Sequence, residues 1–188
     1  GERLLRDAMV MPIYEGTTQI QALMAMKDSL MGIMKDPAAF VSRLAQWRWR
    51  GVSARDPLER RVAKLKSLSL SAQQHLMQRT ATDKIKGLAG KPITAWPTLF
   101  AKDWDPKRDF AFAMLHAEKL LWLLTDEVIA GILLEQAQKF PERRELLERW
   151  LERAEPRAKM LHDQIHTTGD RILAKLAALG RGDDRATA

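Results

Sequence analysis

Apolar residues recur along this chain at steps of three and four, the spacing of one helix face. Nowhere do they alternate over five or six positions as a half-buried strand would. Leu58, Val62, Leu65, Ala72 and Leu76 share such a face, in a helix expected to run to about Gly87. Phe110, Met114, Ala117, Leu121, Leu124, Val128 and Ile132 form a second stripe. Leu115, Trp122, Ile129 and Leu133 flank it, so the pattern predicts that this helix is the most buried. A third stripe joins Leu147, Leu151, Ala154, Ala158, Leu161, Ile165, Ile172 and Leu176. Pro156 falls inside it, where a missing N–H should kink or restart the helix.

Helix starts are marked by three Asp-Pro pairs, Asp36-Pro37, Asp56-Pro57 and Asp105-Pro106. An Asp carboxylate accepts the orphan N–H groups of a first turn, and Pro suits the first helical position because its N–H would be unpaired there. Glu59 follows Asp56 at capping-box spacing. Residues 90–105, with Pro92, Trp96, Pro97 and Trp104, read as a connecting loop, and the residues from Gly180 as a frayed end. The fold class expected is all-α, an antiparallel helical bundle.

Composition changes this picture little. The chain has 188 residues, 46% hydrophobic and 29% charged, as in an ordinary globular protein. The absence of cysteine excludes disulfides, thiolate metal sites and a cysteine nucleophile, and fits a cytoplasmic or other reducing compartment. Glu2, Arg3, Arg6 and Asp7 interrupt any apolar run at the start, so no secretory signal is expected there. The greasiest patch, Leu120 to Leu124, is fenced by Lys119 and Asp126 and falls far short of a membrane span. The net charge of +7 resides in the first part: residues 1–105 hold 17 Lys/Arg and 10 Asp/Glu, while the remainder is balanced. Such a surplus suits nucleic acid, an acidic membrane or a phosphate-rich small molecule, and its sign alone does not choose among them.

One segment carries chemistry. Between a short helix expected at Glu2 to Met9 and another starting near Thr18 lies the turn Ile13-Tyr14-Glu15-Gly16-Thr17-Thr18. Gly16 permits a positive φ, and Thr17 or Thr18 caps the next helix. Glu15 sits at the bend beside Ile13 and the chain's only tyrosine. A carboxylate desolvated in such surroundings moves up toward the range of a general base.

Arg6-Asp7-Ala8 followed by Ile13-Tyr14-Glu15-Gly16-Thr17-Thr18-Gln19-Ile20-Gln21 resembles the C-terminal signature of acyl-CoA dehydrogenases. The resemblance implies an oxidoreductase of fatty acid metabolism, a flavoprotein using FAD. In it Glu15 removes the α-proton of an acyl-CoA thioester while the β-hydride passes to the flavin. It further implies that Tyr14 and Gly16 bind the substrate and that Thr17, Thr18 and Gln19 approach FAD. The partners it implies are the rest of the dehydrogenase polypeptide, like subunits in a homo-oligomer, and electron-transfer flavoprotein as acceptor. The likeness covers residues 2–34. It departs from the family at Ala22, where an Arg is usual, and in the roughly 150 residues that follow, which resemble a subgroup with an extra helical C-terminal domain. Two regions are therefore expected: 1–35, the end of the dehydrogenase helical domain with the catalytic loop, and 36–188, a helical extension. Most FAD contacts would precede Gly1, so the 188 residues alone are expected to be inactive.

Other features have blander readings. His162 and His166, at i and i+4, lack the Glu and third ligand of a zinc helix and read as bundle-edge residues, with no metal site expected. His75 and His116 read as isolated helix-face residues. Trp47-Arg48-Trp49-Arg50 interleaves aromatic and cationic groups as a nucleotide clamp does, but on a helix the two tryptophans diverge, one buried and one at an edge. Nucleic acid is not the expected partner. Met24, Met26, Met31 and Met34 either line an adaptable acyl pocket or fill core gaps. Two alternatives to the dehydrogenase stand: a non-catalytic helical oligomerisation or docking domain, and a basic DNA-binding module derived from the same family.

Overall fold

A computed structural model describes residues 2, 3, 6, 18–87 and 109–186, and all regular structure among them is helical. In chain order these are α1 (Thr18–Lys35), α2 (Pro37–Ser53), α3 (Pro57–Gly87), α4 (Ala111–Leu115), α5 (Ala117–Lys139), a one-turn 3-10 helix (Pro141–Arg143), α6 (Arg144–Thr167) and α7 (Asp170–Ala186). Two hairpins organise the bundle: α2 folds back on α3, and α5 on α6. The long α3 lies centrally, packed against α2, α4, α5 and α6, while α1 lies along α5.

The aspartates start helices as their chemistry dictates. Asp36 Oδ1 accepts the Ala39 N–H at 2.9 Å, and Pro37 is the first residue of α2. Asp56 Oδ1 accepts the Leu58 N–H, also at 2.9 Å, at the start of α3. Glu59 instead lies 4.0 Å from Arg50 of α2, pairing across the hairpin. The third pair, Asp105-Pro106, and the loop 90–105 lie outside the described residues. So does most of the expected first helix, of which Glu2, Arg3 and Arg6 are helical, with Glu2 and Arg6 paired at 3.4 Å. Close approach of α2 to α3 occurs at Gly51, where an added Cβ would stand 3.2 Å from Lys64 Cγ.

The α3 stripe is buried as expected, from Leu58 through Val62, Leu65 and Ala72 to Leu76. The second stripe is not. Val128 and Ile132 are exposed, and the core face of α5 runs through Ala117, Leu120, Leu123, Asp126, Ala130, Leu134 and Ala137. Apolar residues nearly encircle this helix, so their spacing fixes no unique rotation. Asp126 decides it: its fully buried carboxylate accepts Arg157 Nε at Oδ2, 2.9 Å, and Arg157 Nη2 at Oδ1. The guanidinium lies 5.4 Å from the Trp122 ring centroid. The expected continuous helix is also broken at His116, and α3 rather than α5 is the central element.

The third stripe differs too. The α6 helix runs through Pro156 without interruption, the proline being exposed where a lost backbone bond faces solvent. The restart comes at Gly169, whose φ of +111° favours glycine, and Ile172 and Leu176 beyond it are exposed.

Three further ion pairs fix the bundle. Arg61 grips Glu155 with two bonds, 2.8 and 3.2 Å, between α3 and α6. Arg144 does the same to Asp56, at 2.8 and 3.0 Å, and chiefly through this contact holds that carboxyl below its usual range. Lys84 Nζ lies 3.3 Å from Asp109 Oδ2, both side chains fully buried.

The Asp126–Arg157 pair yields a double-mutant test. Arg157→Ala, leaving a buried carboxylate uncompensated, should lower the urea unfolding free energy by about 2–4 kcal/mol. Asp126→Leu combined with Arg157→Met should recover most of that loss, which additive effects of the two substitutions would contradict.

Candidate functional site

Of the turn segment of the motif, the described residues begin at Thr18 and lie on α1. Thr18, Gln19, Ile20 and Gln21 form its first turn, all exposed, while Ala22, Met26, Leu30 and Ile33 face the core. Gln19 and Thr18 thus offer exposed polar side chains at the first described residues of α1. Tyr14, Glu15, Gly16 and Thr17 lie outside the described residues.

Two hollows follow the helix from this turn. The nearer, about 150 Å³, is lined by Gln19, Ala22, Leu23, Met114, Leu115, Ala117 and Glu118. The farther, about 380 Å³, is walled by Leu23, Met24, Met26, Met31, Phe110 and Met114, with Lys27 contributing the one charged lining side chain among the described residues. Leu23 and Met114 belong to both, so the two adjoin. The larger falls in the size range of ligand pockets. Four thioether side chains give it a soft wall that adapts to the shape of an aliphatic guest. Of the methionines singled out in the sequence, Met24, Met26 and Met31 meet here, and Met34 does not.

Sequence reasoning missed a second cluster. The four histidines, from three segments far apart in sequence, converge. The His162 and His166 rings stack with centroids 4.0 Å apart, and His166 lies 4.3 Å from His75. Phe112 stands edge-on to His75 at 5.7 Å and 4.7 Å from His116. His166 Nδ1 donates to the His162 carbonyl at 2.8 Å, His162 Nε2 shares a hydrogen bond with Ser71 Oγ at 3.3 Å, and His116 Nε2 donates to the Thr168 carbonyl at 3.1 Å. His75 Nε2 and His116 Nδ1 are buried without a partner. Burial, followed by the His166 charge, lowers the His75 and His162 pKa values, and burial, followed by Lys119, pulls His116 down to about 4. Only the i, i+4 spacing of His162 and His166 was visible locally. Among the described residues no group of three His, Asp or Glu is arranged to hold a metal ion.

On α2 the tryptophans diverge as helical geometry requires. Trp47 is half-buried, with Lys66 Nζ 4.5 Å and Arg50 5.2 Å from its ring centroid, and Trp49 is 70% exposed. Val41 and Val52 are exposed on the Trp49 side, giving α2 an uncovered apolar flank. Glu127 of α5 is driven up in pKa by burial, an effect opposed by its contacts with Ser69 and Lys66. No helix among the described residues is long and apolar enough to cross a membrane. No family model, curated protein or solved structure matches the chain.

His116 gives this region a definite pH signature. Its folded value of about 4 lies below the unfolded 6.5, so the folded state binds fewer protons. The associated stability is complete above pH 6.5 and is lost as pH falls toward 4, by up to about 3 kcal/mol. Urea unfolding at pH 7 and near pH 4.5 should show the decline, and His116→Phe should remove a large part of it. An unaltered decline in that variant would assign the effect elsewhere.

Proposed function

We propose that this chain is the C-terminal part of an FAD-dependent acyl-CoA dehydrogenase, completed by upstream polypeptide, with Glu15 as its base. The observation that carries the reading is that the chain is helical from Thr18 onward in the described residues, with Gln19 and Gln21 of the motif exposed on α1. A motif with this order needs a turn followed at once by a helix. The methionine-walled hollow farther along α1 adds an apolar surface suited to aliphatic material.

In this reading the Glu15 carboxylate takes the α-proton of the thioester, breaking the C–H bond while the β-hydride leaves. FAD, when bound, supplies the acceptor for that hydride. The thioester α-proton is weakly acidic, so a desolvated carboxylate must act together with hydrogen bonds to the developing enolate oxygen. Tyr14 walls the acyl chain and excludes water, and Gly16 lets the substrate approach the backbone. Thr18 and Gln19, exposed and polar, fit a flavin held mainly by other polypeptide. Glu15→Gln in the full-length parent should cut kcat by about 10²–10⁴-fold with FAD still bound, read by stopped-flow flavin bleaching. Unchanged bleaching would remove Glu15 from the reaction.

A second reading is compatible with the first: residues 36–188 are a docking domain that joins subunits. The uncovered flank of α2, with Trp49 and Val52 more than two-thirds exposed, supports it. Trp49→Asp in the parent should lower the oligomeric mass in analytical ultracentrifugation and spare the flavin chemistry. An unchanged mass would dismiss this flank as the contact.

A further inference from the structure

Among the described residues, the contacts at the start of helix α7 adjoin the histidines. Its main packing partner is the five-residue α4. Leu173 is half-buried against the core, but Ile172 and Leu176 are exposed. Asp170, its first residue, pairs with Arg79, whose guanidinium lies 4.4 Å from the Phe112 ring centroid. The Thr168 carbonyl just before it accepts His116. Gly169, between these anchors, bends at φ +111°, and a Cβ there would stand 2.9 Å from His116 Nε2. The turn and the imidazole are therefore fitted to each other.

The rings of His162, His166, His75, Phe112 and His116 form one continuous column from α6 across α3 to the α4–α5 break. We propose that this column is a pH-operated clasp, holding α7 at neutral pH and releasing it about Gly169 when a second imidazole gains a proton. One imidazolium is tolerated among neutral rings. Two within the 4.0–4.3 Å spacing of the stack repel in a half-buried setting where water screens them poorly. Charged groups face the column from α3, α5, α6 and α7. Arg79 of α3 and Lys119 of α5 add to the repulsion, whereas Asp163 of α6 and Asp170 of α7 offset part of it. His75 Nε2, buried without an acceptor, has no partner ready for a new proton. Protonation is thus easier once the column opens, and the open form gains as pH falls below the ordinary histidine range.

Hydrogen exchange of the intact chain between about pH 7.5 and pH 5.5 tests this, after correction for intrinsic exchange rates. Residues 171–178 should exchange about tenfold faster at the lower pH, while α2 is unchanged. His166→Phe keeps a ring in the stack but cannot take a proton, and should flatten the response; His162→Phe is a second variant for the same purpose. Asp170→Asn should loosen α7 at both pH values. Equal exchange at both, an undiminished response in the folded Phe variants, or α2 loosening in step with α7 would each overturn the clasp.

Discussion

Asp126 carries a carboxylate into the middle of the bundle, and the rotation of α5 follows from keeping Arg157 against it. A buried carboxylate without a counter-charge loses its hydration for nothing in return, so rotations that separate the two are closed to this helix. With Asp126 inward, Leu120, Leu123 and Ala130 fall on the core and Val128 and Ile132 on the surface. The same rotation sets where α1 rests, because α1 packs on α5. The hollows beside Gln19 thus inherit their position from an ion pair on another part of the bundle.

Two kinds of surface result. Along α1 and Met114 the lining is soft and almost wholly apolar, suited to aliphatic material of no fixed shape. At the junction of α3, α4 and α6 the surroundings are aromatic and titratable, with histidines in contact through their faces rather than through converging nitrogens. The first kind belongs with the proposed dehydrogenase reading. The second owes nothing to that reading and follows from packing alone.

Legibility in the sequence tracked how local each cause is. Asp36 and Asp56 announce helix starts because cap and helix are neighbours in sequence. The α3 face was legible because its apolar residues leave a polar side. The phase of α5 was not, since the residue that selects it, Arg157, lies 31 positions away. Pro156 misled for a related reason: a helix tolerates proline where the lost bond faces water, and spacing does not report that. The histidine column joins three distant segments, and only the His162–His166 interval left a local trace. Of the chemical loop, Thr18 and Gln19 alone fall among the described residues, on the helix the motif anticipated.

The pair of hydrogen bonds that Arg144 donates to Asp56 links the first residue of α6 to the residue preceding α3. Each hairpin closes a short connection and forms from contacts near in sequence, whereas this link spans 88 positions. The ordering entropy of the long intervening segment must be met before the guanidinium can find its carboxylate. That entropic cost falls on this corner and on neither hairpin turn.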